Sequence, residues 1–308
     1  MNKLGLSVHP WWINGNLRRL EKELEELQSA GADCCELVLH ALDVVIGGRI
    51  IPARLEAVLK SLEKYNMEYT LHMPYDLNLL SQSAAELYMQ VFRAGIAFAK
   101  AAGIGLIVYH AGRTRSLDTS VFDREAAQVK LLAKEAGDLL ICMENPLFLR
   151  NDALCAGSTA QNMMDFCEKV NAPNFKLAFD IGHSFLHHRG DSNALLHDLR
   201  TLLPYIGHIH LHDNFGVSLM MSEYDYSHRI ACGAADLHLP LGWGSIPMQE
   251  VLLQLRGYNG IINMEIEKRF HAQYSESISF VRPYAKANTQ ARGKKKPRSG
   301  TKHALHGS

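Results

Sequence analysis

Short apolar runs typical of buried strands alternate along the chain with segments whose apolar residues recur at helical spacing. In the first such segment Leu20, Leu24 and Leu27 share one helical face, and Asn16 is the predicted N-cap. The predicted strands are Leu4–Val8, Cys34–Leu39, Glu68–His72, Gly105–His110, Leu139–Glu144, Asn174–Asp180, Ile206–His212 and Gly260–Glu265. The later helices are predicted near Pro52–Tyr65, Ala84–Ala102, Ser120–Ala136, Thr159–Val170, Ser192–Leu203, Pro247–Leu255 and Tyr274–Lys286.

Eight strand–helix units in succession, with nearly continuous apolar strands, indicate a parallel sheet that is buried on both faces. We predict an α/β fold, a closed (β/α)8 TIM barrel formed by a single domain over residues 1–286. An open doubly wound sheet would place a glycine-rich phosphate loop after the first strand, where this chain has His9-Pro-Trp-Trp12. Residues 214–235 are predicted to form a long loop, and residues 287–308 a disordered basic tail.

The bulk composition excludes some classes of protein. Hydrophobic residues make up 47% of the 308 residues, which excludes global disorder. The 32 basic and 32 acidic residues balance, which counts against a dedicated duplex-DNA binder. Cys34, Cys35 and Cys142 lie in apolar runs and none of the six cysteines forms a C-x-x-C pair, which favours core thiols in a reducing cytoplasm. No export signal and no membrane-spanning apolar run is apparent.

Histidine and carboxylate side chains stand at the predicted carboxyl ends of six consecutive strands. In a barrel these ends meet at one rim, where catalytic side chains project. The residues are His72, His110, Glu144, Asp180 with His183, His210 and Glu265. One such histidine is more often a hydrogen-bonded core residue, but six adjacent strand ends favour a shared site. Crowded carboxylates repel one another unless divalent cations are present, and imidazole with carboxylate suits Zn, Mn or Fe.

His208, His210 and His212 alternate, so they share one face of the seventh strand but lie at different depths. They cannot all reach one metal ion. We predict His210 as a ligand, His208 as a packed interior residue, and His212 as a substrate contact near the mouth.

The motifs at these positions resemble the AP endonuclease family 2 superfamily, also called the xylose-isomerase-like barrels, from Leu4 to about Tyr284. The segment His72-Met-Pro-Tyr-Asp-Leu-Asn-Leu79 is similar to the family's His-x-Pro-Tyr motif, and Asp236-Leu-His-Leu-Pro-Leu-Gly242 to its D-x-H loop. The superfamily includes endonuclease IV, a trinuclear zinc phosphodiesterase, and mononuclear sugar epimerases and isomerases. A shared Glu–Asp–His–Glu core looks like Glu144, Asp180, His210 and Glu265.

The resemblance implies a ligand set for three metal ions, because the additional ligands of the trinuclear members are also present. By this resemblance one ion takes His72, His110 and Glu144. A second ion takes Glu144, Asp180, His210 and Glu265, with Glu144 bridging the first two ions. A third ion takes His183, Asp236 and His238. Zinc is the first expectation, with manganese or iron as alternatives.

Three features differ from endonuclease IV. The D-x-H loop has Leu237 and Trp243 where endonuclease IV has arginine and glutamate. The loop over residues 41–51 is mostly apolar and offers only Arg49 for phosphate contacts. The 214–235 segment is rich in methionine and aromatic residues, which suit an apolar or planar ligand. The alternative is that these residues pack a lid or a dimer contact.

These features favour a metal-dependent phosphodiester hydrolase that acts on a nucleotide-like small molecule, such as the nucleotide loop of a corrinoid in cobamide remodelling. Glu144 and Glu265 are its predicted catalytic residues. The predicted substrate contacts are Trp11, Trp12, Tyr75, His212, Met220, Met221, Tyr224 and Trp243. Cleavage of abasic DNA ranks second, a mononuclear-metal sugar isomerase or epimerase third, and a non-catalytic metal-binding module fourth. No membrane partner is expected, and the oligomeric state stays open.

Overall fold

Eight parallel strands, β1–β8, form a closed barrel in which each strand pairs with the next in the chain and β8 pairs with β1. The computed structural model describes residues 2–116, 118–147, 154–218 and 226–287. The barrel strands are Lys3–Ser7, Cys34–Val38, Glu68–His72, Leu106–His110, Leu140–Glu144, Phe175–Asp180, Ile206–Leu211 and Ile261–Met264. The predicted single-domain (β/α)8 TIM barrel is therefore confirmed.

Helices surround the barrel and connect its strands. Within the described residues the helices α1–α11 are Pro10–Ile13, Leu17–Ser29, Pro52–Leu62, Ala85–Ala101, Ser120–Ala136, Ala160–Val170, Ile181–His187, Ser192–Leu202, Tyr226–Cys232, Met248–Gln254 and Tyr274–Ala287. Two 3-10 segments are Leu39–Ala41 and Lys268–Gln273. Two short antiparallel pairs join Val45–Ile46 to Arg49–Ile50 and Arg113–Thr114 to Leu154–Cys155.

The helix α2 shows how sequence signals define an element of this barrel. The side chain of Asn16 accepts hydrogen bonds from the backbone N–H groups of Arg18 and Arg19, as the predicted N-cap should. Its apolar face, which includes Leu20 and Leu24, is fully buried. The predicted spacing of apolar residues therefore places this helix against the barrel wall.

The segment after β7 differs from the prediction, because residues 214–235 contain the helix α9, Tyr226–Cys232, and are not loop throughout. None of the residues of α9 is buried, so the helix has no apolar face that the sequence pattern could reveal. Residues 219–225, with the predicted substrate contacts Met220, Met221 and Tyr224, lie outside the described residues, as does the predicted tail beyond residue 287.

Strand register brings the predicted ligands together at the carboxyl end of the barrel. His110 at the end of β4 pairs with Glu144 at the end of β5. Asp180 at the end of β6 pairs with His210 in β7. Because neighbouring parallel strands place paired residues side by side, these side chains enter the same space above the barrel core.

The cysteines that the sequence assigned to the core, Cys34, Cys35 and Cys142, are buried there, and all six cysteines are free thiols. Within the described ranges, none of the helices combines the length and apolar content that crossing a bilayer requires.

Candidate metal centre

His210 lies at the middle of a group of carboxylates contributed by three other strands. Its Nδ1 atom is 3.5 Å from Glu144 Oε1, 3.6 Å from Glu265 Oε1 and 3.9 Å from Asp180 Oδ2. Glu144 Oε1 and Asp180 Oδ2 are buried and accept no hydrogen bond from the described part of the chain. Buried carboxylate oxygens without donors are costly, and a divalent cation between them would remove that cost. The four residues therefore fit a central metal ion.

A second group forms around the other carboxylate oxygen of Glu144. His72 Nε2 lies 3.0 Å and His110 Nε2 lies 3.4 Å from Glu144 Oε2. The Nδ1 atoms donate to backbone carbonyls, His72 to Met73 at 2.7 Å and His110 to Tyr75 at 3.0 Å. A carbonyl can only accept, so these bonds assign a proton to Nδ1 and direct each Nε2 atom toward Glu144, where it could bind a metal ion once deprotonated.

A third group forms around Asp236, which follows α9. His183 Nε2 lies 3.4 Å and His238 Nε2 lies 2.7 Å from its Oδ2 atom. His212 Nε2 lies 3.5 Å from Oδ1, and the ligand atoms of all four residues lie within 4.8 Å of one another. His212 is fully buried and belongs to this group, whereas the sequence assigned it to the substrate.

Glu36, in the middle of β2, is a residue of this site that was not predicted from the sequence. Its carboxylate is fully buried in the barrel and lies 3.0 Å from both His208 Nε2 and His210 Nε2. Thr70 Oγ1 donates to it at 3.1 Å. Glu36 therefore orients the His210 ring so that Nδ1 faces the central group. The sequence does contain a lone carboxylate inside the apolar run Cys34–Val38. It was overlooked because only residues at strand ends were considered as ligands.

The imidazoles and carboxylates of the three groups shift one another's proton affinity. Burial by itself would raise the pKa of Glu144, but the imidazoles of His110 and His210 outweigh it and hold that pKa well below its usual range. Burial would likewise lower the pKa of His238, but the Asp236 carboxylate raises that pKa to about 10. The pKa of His183 is also raised well above its usual range by Asp180 and Asp236, against the effect of burial.

A cleft of about 380 Å³ opens above the metal groups. Its wall combines charged and polar side chains with the apolar residues Val8, Pro10, Pro146 and Leu147, and two predicted substrate contacts, Trp11 and Tyr75, are among the lining residues. Its other lining residues include His72, Asp76, His110, Arg113, Glu144, His183, Tyr226, Arg229, Asp236, His238, Glu265 and Glu267. The predicted contacts Trp12 and Trp243 are not among the lining residues. Trp12 lies under the Arg19 guanidinium, and Trp243 packs against Phe270.

The sequence matches the family described as xylose isomerase-like TIM barrel over residues 24–284. The chain belongs to this family. The family resemblance predicted from the strand-end motifs is thereby confirmed. Members of the xylose isomerase-like family bind divalent metal, and the three groups described above supply suitable ligands. A comparison with curated proteins found no match.

Solved structures with the same barrel include several sugar epimerases. A D-tagatose 3-epimerase-like protein is 22% identical, with a TM-score of 0.69 over 94% of this chain and 100% of that chain. An L-ribulose 3-epimerase is 17% identical, with a TM-score of 0.69 over 95% and 97%. A 3-keto-D-glucoside 4-epimerase from E. coli is 16% identical, with a TM-score of 0.63 over 92% and 100%. At these identities the similarity shows a shared fold.

These similarities correct the predicted reaction. The phosphodiester hydrolase that the sequence favoured, with a cobamide or abasic DNA as substrate, is contradicted because the similar structures are epimerases. That prediction was wrong because it inferred the reaction from the types of metal ligand, and the same ligand types serve different reactions on one fold. The broader prediction of an enzyme is supported, whereas the hydrolase class is not.

The backbone that follows His110 at the end of β4 is hydrogen-bonded to a buried carboxyl group. Glu125 in α5 is fully buried, and its Oε1 atom accepts a hydrogen bond from Gly112 N at 2.6 Å. Burial raises the pKa of Glu125 from 4.5 to about 7. The folded protein therefore holds a proton here over a pH range in which the unfolded chain loses it.

We expect the free energy of unfolding to fall as pH rises, because the native state holds this proton more tightly than the unfolded state. Between pH 4.5 and about 7 the native state binds more protons than the unfolded state at Glu125. The free energy of unfolding should therefore fall by about 3 kcal/mol over this window, relative to Glu125→Gln, which cannot ionise. Urea unfolding at several pH values measures the difference between the two proteins. Glu168→Gln, at an exposed position in α6, is the control, and a pH-independent difference for Glu125→Gln would contradict the assignment.

We also expect metal binding to release protons from the group around Asp236. Because their pKa values are raised, His183 and His238 are protonated at pH 7 without metal, and a ligand imidazole must be neutral. Zinc added to chelator-treated protein should release protons, in part from these two imidazoles. Calorimetry in buffers of different ionisation enthalpy counts them. His238→Asn should release fewer protons than wild type, and exposed His197→Asn the same number; zero release from wild type would refute the pKa assignment.

Proposed function

We propose that this chain is a metal-dependent isomerase or epimerase that moves a proton at a carbon next to the carbonyl group of a sugar-like substrate. One observation carries the proposal. Glu144 and Glu265 both line the cleft, and both approach the same His210 Nδ1 atom, at 3.5 Å and 3.6 Å. Two carboxylates beside one metal position are what a reversible proton transfer between adjacent carbon atoms needs.

The residues of the central group would bind the metal ion and transfer the proton. Glu144, Asp180, His210 and Glu265 would hold the ion, which when bound polarises substrate oxygens and so makes the neighbouring C–H group more acidic. Glu265 is the more accessible of the two carboxylates and is reached from the cleft. We assign Glu265 to removing or returning the proton on one face of the substrate carbon and Glu144 to the other.

The cleft supports a polar substrate of the size of a monosaccharide. Its volume of about 380 Å³ lies at the small end of the range for ligand sites. Arg113 and Glu267 offer hydrogen-bond donors and acceptors to hydroxyl groups, and Trp11 and Tyr75 offer flat faces. The similar structures are named as epimerases of D-tagatose type, L-ribulose and 3-keto-D-glucoside, and the proposal extends that class of carbonyl substrate to this chain.

The number of ions is a further part of the proposal. The groups around Glu144 Oε2, around His210 Nδ1 and around Asp236 offer three ion positions, and the proton transfer uses the central one. Zinc suits groups that combine imidazole with carboxylate, with manganese or iron as alternatives. The expected partner is a small molecule, without nucleic acid or membrane. Location in the cytoplasm stays a prediction.

Solvent exchange tests the reaction. Metal-loaded protein incubated in D2O with D-tagatose, L-ribulose, D-psicose and D-fructose should introduce deuterium at a carbon next to the carbonyl group of at least one sugar. Proton and carbon NMR detect both the exchange and any epimer that forms. Glu265→Gln and Glu144→Gln should each reduce the exchange rate at least about 100-fold, because each removes one proton-transfer group.

Two controls separate this result from a general loss of structure. Glu250→Gln alters an exposed glutamate of α10 and should exchange at the wild-type rate. Metal content and thermal unfolding of each variant show whether it still folds and binds ions. If no carbonyl sugar exchanges deuterium, while the same preparation hydrolyses a simple phosphodiester such as bis(p-nitrophenyl) phosphate, the proposal is refuted.

A further inference from the structure

A layer of buried polar side chains crosses the interior of the barrel next to the central group. It includes Ser7 on β1, Glu36 on β2, Thr70 on β3, His210 on β7 and Asn263 on β8. Barrel interiors are usually filled by branched apolar side chains, and burying a polar group is costly unless it is hydrogen-bonded. The hydrogen bonds within this layer indicate what it does.

Strand register places two of these residues beside the wall that carries Glu265. Asn263 pairs with Gly5 on β1, and Ser7 pairs with Glu36 on β2. Asn263 lies two residues before Glu265, so both side chains extend to the same face of the barrel wall. A Cβ atom on Gly5 would lie 2.6 Å from Asn263 Oδ1, so glycine at this position leaves space for the amide.

A chain of hydrogen bonds runs from Glu36 to Glu265. Asn263 Nδ2 donates to Glu36 Oε1 at 3.4 Å and to Ser7 Oγ at 2.7 Å. A carboxylate can only accept, so the nitrogen of the amide and not its oxygen faces Glu36. Because Ser7 Oγ accepts from Asn263, its own proton is available for Glu265 Oε1, to which it donates at 3.4 Å. The direction of each bond in the chain is therefore fixed.

Glu36 anchors this chain because polar groups of neighbouring strands hold both of its carboxylate oxygens. Its Oε1 atom accepts from Asn263 and also faces His210 Nε2 at 3.0 Å. Its Oε2 atom accepts from Thr70 Oγ1 at 3.1 Å and faces His208 Nε2 at 3.0 Å. A carboxylate held on both oxygens gives the Asn263 amide a fixed acceptor, and the amide gives Ser7 a fixed donor.

Two paths from Glu36 converge on one oxygen of Glu265. His210 Nδ1 lies 3.6 Å and Ser7 Oγ lies 3.4 Å from Glu265 Oε1. Glu36 orients the His210 ring directly, and it orients the Ser7 hydroxyl through Asn263. Oε1 of Glu265 is thereby held beside the ion position, which leaves Oε2 as the oxygen that can exchange a proton with a substrate.

We propose that Ser7 and Asn263 are positioning residues, which hold Glu265 Oε1 on the central metal ion through a hydrogen-bond chain anchored at Glu36. The Ser7 hydroxyl keeps its proton and acts by fixing which oxygen of Glu265 binds the ion. Hydrogen bonds to ligands orient them and strengthen ion binding. The inference rests on the proposed function, in which Glu265 binds the ion and also transfers the proton.

The affinity for the central ion tests the chain without any substrate. Zinc binding is measured by competition with a chromogenic chelator, and the binding step that Glu265→Gln weakens identifies the central ion. Ser7→Ala should weaken the same step about 10-fold or more, which is the usual effect of losing a hydrogen bond to a ligand. Ser7→Thr keeps the hydroxyl and should bind this ion more tightly than Ser7→Ala.

A matched control removes another buried serine hydroxyl. Ser61 in α3 is buried, and its hydroxyl donates to Glu21 Oε1 at 2.8 Å, away from the barrel interior. Ser61→Ala should therefore bind zinc as wild type does. Thermal unfolding of each variant shows whether it still folds.

A double-mutant cycle shows whether Asn263 acts through Ser7. Asn263→Leu removes the donor to Ser7 in a side chain of similar size and should weaken the same binding step. In the Ser7→Ala background it should add little, because the hydroxyl that the amide orients is already absent. Thr70→Val also removes a donor to Glu36, but at Oε2, outside the chain, so its effect should add to that of Ser7→Ala.

The results distinguish this inference from the proposed function. If Ser7→Ala leaves unchanged the step that Glu265→Gln weakens, or if the effects of Ser7→Ala and Asn263→Leu add, the chain does not position Glu265. If Ser7→Ala weakens that step while no carbonyl sugar exchanges deuterium, the chain positions a ligand and the proposed reaction alone is wrong. If Glu265→Gln weakens no step, Glu265 is not a ligand and the inference is wrong. Should Asn263→Leu not fold, the comparison of Ser7→Ala with Ser7→Thr decides.

Discussion

Compensation of buried carboxylate charge is the constraint on which the mouth of this barrel depends. Glu36, Glu144 and Asp180 are fully buried, and an ionised carboxylate without a partner is costly in such surroundings. Each lies close to imidazole groups, for example Glu36 between His208 and His210 at 3.0 Å. Among the described residues, imidazole alone leaves Glu144 Oε1 and Asp180 Oδ2 without hydrogen bonds. Divalent cations would complete the compensation, which would make the packing of the strand ends and metal binding depend on each other.

The register of the parallel strands places the imidazoles beside the carboxylates whose charge they compensate. Pairing of His110 with Glu144, and of Asp180 with His210, places an imidazole beside a carboxylate at successive strand ends. Backbone carbonyls that follow the strands then accept from Nδ1 atoms, as the carbonyl of Met73 does from His72. The Nε2 atom of such a ring then faces the carboxylates, as that of His72 faces Glu144. The main chain thus orients the ligands before any ion binds, which reduces the cost of ordering them.

The sequence predicted the barrel and the residues of its rim well, because a parallel barrel places all strand ends on one side. His72, Glu144 and His210 were therefore recognisable one strand at a time. Glu36 was not, because it lies inside a strand and its role depends on which rings surround it in three dimensions. The helix α9 was missed because it buries no residue and leaves no periodic signal. Trp12 was misplaced because its neighbour Trp11 faces the cleft while Trp12 packs under Arg19.

The type of reaction was the least predictable property, for a physical reason. Imidazole and carboxylate ligands define which ions bind, but the reaction depends on which side chains the open cleft presents to a substrate. Glu144 and Glu265 both line that cleft, whereas His212 is fully buried beside Asp236. Additional histidines in the sequence therefore need not indicate additional catalytic ions.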